Sequence, residues 1–149
     1  MNASSFFSKE QQDHILASVK EAEKETSGEI RVHIETSLKG EVLDRAAWIF
    51  NKLGMNKTAE RNGVLFYLAV EDRKFAIIGD AGINAKVAPG FWNDISEHFV
   101  KRFKEGKFAE GLSEGIILAG KQLQIHFPCM TDDVNELPDE ISFDKLKGE

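Results

Sequence analysis

Four stretches of the chain repeat their apolar residues at helical spacing and therefore predict helices. They cover residues 9–26, 42–53, 91–103 and 108–123. The first follows Ser8 and Gln11, which are spaced as in a capping box. The second ends at Gly54, a residue type that commonly follows the last turn of a helix.

Three other stretches have the spacing of strands, at residues 29–35, 63–70 and 74–79. The first alternates apolar residues with Arg31, His33 and Glu35, which predicts a strand with only one covered face. The second is continuously apolar, as in a central strand covered on both faces. A short polar break before the third predicts a hairpin. The helix between the first two strands makes them parallel. We therefore expect a central mixed β-sheet with helices on both faces.

Length and composition are those of an ordinary globular protein. The 149 residues suffice for one domain, and 19 basic against 25 acidic residues give a net charge of −6. Such a chain has no basic stripe for a nucleic-acid partner. We divide it into a domain over residues 1–127 and an acidic tail over residues 128–149. The apolar residues of the tail leave two alternatives, because they could pack on the domain or the tail could be disordered.

The compartment is predicted from the terminus, the apolar runs and the cysteine content. The N-terminal residues lack the basic and apolar regions of a signal peptide. The longest apolar run, residues 64–70, is far shorter than the roughly 20 residues that span a membrane. The single cysteine, Cys129, cannot close an internal disulfide, which fits a reducing compartment. We expect a cytoplasmic monomer without a membrane partner.

Familiar catalytic motifs are incomplete in this sequence. Residues 115–122 nearly spell a phosphate-binding loop, but Gln122 stands where Mg²⁺ coordination needs a hydroxyl, and the segment continues a helical period. Cys129 lacks the nearby arginine of a cysteine phosphatase loop. The histidines form no short-range pair of metal ligands; they are His14, His33, His98 and His126. The sequence therefore shows no nucleophile for covalent catalysis.

Polar side chains at one end of the predicted sheet suggest a cation site instead. They are Glu29, Asn62, Asp80 and Asn84, whereas Asp44, Glu71 and Asp72 fall at the other end. Ca²⁺ and Mg²⁺ prefer such oxygen ligands. Gly79 and Gly82 flank Asp80 and allow a tight turn whose carbonyl groups could add ligands. The alternative is that Asp80 only forms a local turn and that Glu29 pairs with a neighbouring arginine.

Five segments resemble motifs of the TPM domain family, to which the photosystem II repair proteins of the thylakoid lumen and many bacterial proteins belong. They read SGEIRV (27–32), NGVLFY (62–67), EDRK (71–74), GDAGI (79–83) and FKEGKFAEG (103–111). Their order and spacing agree with the family over roughly residues 8–126. The resemblance implies a three-layer α/β/α sandwich and divalent-cation binding. It also implies the weak acid phosphatase activity of some members.

Two features differ from the family pattern. Many relatives carry a signal peptide and a membrane anchor. Neither pattern is visible in this sequence, so we expect a free-standing cytoplasmic variant. The family's turn Gly-Tyr-Gly-Leu-Glu-Gly is replaced by residues 79–84, which insert Asp80 and offer Asn84 in place of the glutamate.

We therefore predict a domain that binds Ca²⁺ or Mg²⁺ through Asp80, Glu29, Asn62 and Asn84. It would act through a protein partner with little or no catalysis. The alternative is a weak metal-assisted acid phosphatase that acts on phosphomonoesters.

Overall fold

The computed structural model describes residues 2–128 and 140–144. The strands are β1 (Glu29–Glu35), β2 (Gly63–Ala69), β3 (Lys74–Gly79) and β4 (Ile141–Phe143). The helices are α1 (Ala3–Phe6), α2 (Lys9–Glu23), α3 (Val42–Lys52), α4 (Ala81–Asn84), α5 (Phe91–Lys104) and α6 (Phe108–His126), with a 3₁₀ turn at Met55–Lys57. Cys129 and the acidic residues 132–139 lie outside the described residues.

The four strands form one mixed sheet in the order β3-β2-β1-β4. β1 and β2 run parallel with Glu29 opposite Gly63, and β2 and β3 form an antiparallel hairpin with Val64 opposite Gly79. The predicted mixed sheet, its hairpin and its interior second strand are confirmed. β4 was not predicted as a strand. It comes from the segment assigned to the acidic tail and pairs in parallel with the outer edge of β1.

Helices cover both faces of the sheet. On one face α2, α5 and α6 enclose a core that includes Ile30, Val64 and Phe66. On the other face α3 packs its apolar side against Leu65 and Tyr67 of β2. The continuous apolar run of β2 therefore serves two cores, as expected for an inner strand with no solvent face. The predicted α/β/α sandwich is confirmed.

The prediction that β1 is covered on one face only is wrong, because all seven of its residues are buried. Arg31, His33 and Glu35 were expected to face solvent and instead lie in the interior. The physical reason is that α3 and β4 both contact this side of β1, as the bonds from Arg45 to Glu35 and from His33 to Ser142 show. Polar groups of α3 and β4 therefore take the place of water as hydrogen-bond partners for Glu35 and His33.

Details of two helices agree with the sequence. At the start of α2 the backbone N–H of Gln11 donates to Ser8 Oγ at 3.1 Å, and the N–H of Ser8 donates to Gln11 Oε1 at 2.9 Å, so the capping box is present. The segment that resembles a phosphate-binding loop, residues 115–122, lies inside α6. Among residues 2–128 and 140–144, no helix is both long and apolar enough to cross a bilayer.

Candidate functional site

The beginnings of β1 and β2 and the end of β3 meet at one end of the sheet, where backbone hydrogen bonds connect the four predicted ligand residues. The N–H of Glu29 donates to the carbonyl of Asn62 at 3.3 Å, and that of Asp80 donates to the carbonyl of Gly63 at 3.0 Å. The N–H of Asn84 in turn donates to the carbonyl of Asp80 at 3.0 Å. The structure thus places all four residues at the same end, which we call the Asp80 end.

The carboxylate of Asp80 forms an ion pair with Arg61. Arg61 Nε donates to Oδ2 at 2.7 Å and Nη2 donates to Oδ1 at 2.8 Å. Oδ1 also accepts the N–H of Ala81 at 2.8 Å, so Asp80 caps the short helix α4. The hydrogen bonds to Asp80 raise the pKa of the Arg61 guanidinium. Sequence reasoning missed Arg61, although its place directly before Asn62 put it at the same end.

Asn62 is almost fully buried and has an unsatisfied oxygen. Its Nδ2 donates to Ser27 Oγ at 3.2 Å. Within the described part of the chain, Oδ1 has no hydrogen-bond partner. A buried polar atom without a partner costs about 1–3 kcal/mol, and native structures leave few of them. This oxygen is therefore a place where a donor or a cation would be stabilised.

Asn84 and Trp92 close the turn that follows Asp80. Asn84 Nδ2 donates to the carbonyl of Gly79 at 3.0 Å, and its Oδ1 lies 3.5 Å from Trp92 Nε1. A Cβ on Gly79 would overlap the Trp92 ring, and one on Gly82 would overlap the carbonyl oxygen of Glu60. Both glycines are thus needed for close approach rather than for a positive φ. The indole N–H of Trp92 is a natural reporter of events at Asn84.

The donor set at the Asp80 end consists mainly of oxygen atoms. Glu29 is buried, as is Asp80. Among residues 2–128 and 140–144, no three His, Cys, Asp or Glu side chains are placed together to hold a metal ion. A cation here would therefore rely on the carboxylates of Glu29 and Asp80 together with amide, carbonyl and water oxygens. Hard cations accept such mixed oxygen ligands.

The acidic residues at the opposite end of the sheet stabilise loops and caps. Asp72 Oδ1 accepts the N–H of Leu38 at 2.8 Å, which ties the hairpin to the loop after β1. The N–H of Asp44 is capped by Glu41 Oε2 at 3.0 Å at the start of α3. The acidic side chains in these contacts therefore have a local structural role.

A second polar cluster, which sequence reasoning missed, surrounds Glu35 in the interior. Arg45 Nε donates to Oε1 at 2.8 Å, the Tyr67 hydroxyl donates to Oε2, and His33 Nε2 lies 3.4 Å from Oε1. Burial alone would raise the pKa of Glu35, but the contacts with His33, Arg45 and Tyr67 outweigh it and lower this pKa to about 2. Burial and the neighbouring Glu35 raise the pKa of Tyr67. We call these four residues the Glu35 cluster.

The Glu35 cluster also fixes β4. His33 Nδ1 lies 2.7 Å from Ser142 Oγ, so a hydroxyl, an imidazole and a carboxylate follow one another as in a hydrolase triad. His33 is wholly buried, however, and Glu35 is already held by Arg45 and Tyr67. An imidazole that no substrate can touch cannot serve as a general base. The arrangement stabilises the strand pairing.

Comparison with known proteins gives a family and several similar structures. The family model of the TPM domain matches residues 1–122. The NMR structure of the BA42 protein from the psychrophilic bacterium Bizionia argentinensis is 45% identical with a TM-score of 0.88, and the match covers 93% of this chain and 96% of that one. Among curated proteins, none matches the sequence.

Two more distant structures share the fold. The N-terminal domain of a P. gingivalis protein is 22% identical with a TM-score of 0.68, covering 83% of this chain and 80% of that one. The N-terminal domain of a Corynebacterium glutamicum protein is 14% identical with a TM-score of 0.62, covering 93% and 81%. At these identities the likeness concerns the fold alone.

Proposed function

Because the chain belongs to the TPM domain family, we propose that it binds a divalent cation, Ca²⁺ or Mg²⁺, at the Asp80 end. In this proposal Asp80 and Glu29 supply charge, Asn62 and Asn84 supply amide oxygens, and the domain acts through a protein partner with little or no catalysis. The observation that carries the proposal is the buried Oδ1 of Asn62, which has no partner among the described residues. A cation would satisfy this oxygen.

The exposure of the neighbouring side chains supports a role in binding a partner. Arg61 is about half exposed and Asn84 is exposed, whereas Asp80 and Asn62 are buried beneath them. A cation held by the buried oxygens would thus lie close to surface groups that a second protein can contact. The cation would alter these surface groups without requiring any chemical step.

Titration of Ca²⁺ and Mg²⁺ into ¹⁵N-labelled protein tests this proposal. We expect shifts at residues 28–30, 61–63 and 79–84 and at the Trp92 indole. Asp80→Asn keeps the shape and removes the charge, so it should weaken binding by at least about tenfold. Asp72→Asn is the matched control, because it makes the same change at the other end of the sheet and should leave the affinity unaltered.

Two results would argue against the proposal. The cation site is wrong if Asp80→Asn binds the cation as well as the unmodified protein does, or if Asp72→Asn is the variant that loses binding. Cation-dependent hydrolysis of p-nitrophenyl phosphate that persists through purification and disappears in Asp80→Asn would favour the alternative, a weak metal-assisted acid phosphatase. Turnover that is unchanged in Asp80→Asn would indicate a contaminant.

A further inference from the structure

Arg61 lies where a cation would approach Asp80. Its Nε and Nη2 engage both carboxylate oxygens, at 2.7 and 2.8 Å. Oδ1 accepts a further hydrogen bond from the N–H of Ala81. A lone pair remains on Oδ2, which accepts only the bond from Nε, but a divalent ion there would sit within a few ångströms of the guanidinium. Two positive charges at that separation repel each other strongly in a partly buried site.

We propose that Arg61 is a built-in competitor of the cation: it holds Asp80 in the cation-free protein and turns out into solvent when the cation binds. The inference rests on the proposed cation site at the Asp80 end. It assigns to Arg61 both the tuning of the affinity and a change in surface charge on binding. Its basis is the unequal burial of the two partners, since the side chain of Asp80 is 7% exposed and that of Arg61 is 49% exposed.

The backbone around the pair allows only the side chain of Arg61 to move. Arg61 adopts a left-handed conformation with φ of 52°, its N–H donates to the carbonyl of Thr58, and its carbonyl accepts the N–H of Gly82 at 2.9 Å. Gly82 has no room for a Cβ at this contact, so the backbones of Arg61 and Gly82 are closely packed against each other. Asp80 is fixed as well, because it caps α4. The exposed guanidinium is therefore the free part of the pair.

The experiment compares Ca²⁺ affinity and side-chain signals in several variants. Arg61→Gln removes the charge, and Arg61→Lys keeps the charge but loses the two-point contact. Arg102→Gln is the matched control, since Arg102 pairs with Glu114 on the α5–α6 surface and its loss changes the net charge equally. Asp80→Asn and the double variant Arg61→Gln/Asp80→Asn show whether Arg61 acts through Asp80.

We expect Arg61→Gln to bind Ca²⁺ about tenfold more tightly, which corresponds to about 1.4 kcal/mol. Arg61→Lys should lie between this variant and the unmodified protein, and Arg102→Gln should change the affinity less than twofold. In the unmodified protein the Nε–H signal of Arg61 should shift and exchange faster with solvent as Ca²⁺ is added. In the double variant the gain should disappear, because the carboxylate for which Arg61 competes is absent.

The outcomes separate this inference from the cation site itself. Equal or weaker Ca²⁺ binding in Arg61→Gln, with binding still lost in Asp80→Asn, would overturn the role of Arg61 and leave the cation site standing. An Arg61 Nε–H signal that stays unchanged at saturating Ca²⁺ would overturn it too. Undiminished binding in Asp80→Asn would remove the proposed site and this inference together. Thermal melts of each variant confirm that a loss of binding is not a loss of folding.

Discussion

Replacing Glu35 by glutamine tests whether the buried carboxylate stabilises the fold through its charge. The pKa of Glu35 is lowered to about 2, against 4.5 for a free glutamate. At 1.36 kcal/mol per pKa unit, this difference corresponds to about 3 kcal/mol of stability at neutral pH. Because the pKa is lower in the folded state, this stabilisation is complete above about pH 4.5 and is lost as the pH falls towards 2. About 2 kcal/mol should be gone by pH 3.

The free energy of unfolding, measured by urea titration at pH 7 and at pH 3, gives the direct assay. The unmodified protein should lose about 2 kcal/mol more than Glu35→Gln between these two pH values. Glu114→Gln is the control, because Glu114 also pairs with an arginine but is 40% exposed. Its effect should stay below about 1 kcal/mol. Parallel loss of stability in Glu35→Gln and the unmodified protein would refute the electrostatic role of Glu35.

The same reasoning predicts which of two further variants is more stable at pH 7. Arg45→Met leaves the Glu35 carboxylate buried without its cation, which typically costs about 3–5 kcal/mol. The double variant Glu35→Gln/Arg45→Met removes both charges and should recover part of that loss. A double variant that is no more stable than Arg45→Met would mean that Arg45 stabilises the protein by packing alone.

Three more predictions concern helices. Ser8→Ala removes the capping box of α2 and should lower the unfolding free energy by about 1 kcal/mol in urea titration. Gly120→Ala should lower the free energy of unfolding by about 1–3 kcal/mol, because its Cβ would lie 2.6 Å from that of Ala22. Gly115→Ala should raise it by about 0.5–1 kcal/mol, because a Cβ there meets only ordinary contacts at 3.5 Å and alanine favours the helix. ATP should not raise the melting temperature, since residues 115–122 lie inside a helix. If ATP did bind, a concentration of 100 times its Kd would raise the free energy of unfolding by about 2.7 kcal/mol, which a melt would detect.

The long helices α2, α3, α5 and α6 and the three longer strands could be predicted because each contains enough residues to show its period. The helices α1 and α4 have four residues each and were not predicted. The hairpin follows from a polar break between two apolar runs, and the parallel pairing of β1 with β2 follows from the crossover helix α3. β4 could not be predicted in this way. It has only three residues, too few to show a period. Its pairing of Ile141 with Val32 and of Ser142 with His33 could be expected only if β1 were already known to have an unpaired edge.

Polar residues on β1 misled the prediction because alternation reports chemistry rather than solvent exposure. A face that carries His33 and Glu35 has the same pattern whether water or a buried Arg45 lies opposite. The meeting of Glu29, Asn62, Asp80 and Asn84 at one end of the sheet could be predicted, since strand direction decides which residues come together there. Arg61, the counter-ion of Asp80, was missed because an ion pair depends on side-chain reach, which no periodicity encodes.

The two arginine–carboxylate pairs at opposite ends of the sheet differ in the one property that decides whether they can open. In the Glu35 cluster both partners are buried, with side chains 3% and 8% exposed, so removing the arginine would leave a charge in the interior. At the Asp80 end the arginine is half exposed and regains its hydration when it leaves. The first pair is therefore a fixed part of the fold, whereas the proposed exchange of Arg61 for a cation would leave no charge buried without a partner. Because the arginine of the second pair can return to solvent, we propose Asp80 rather than Glu35 as the carboxylate that takes up a cation.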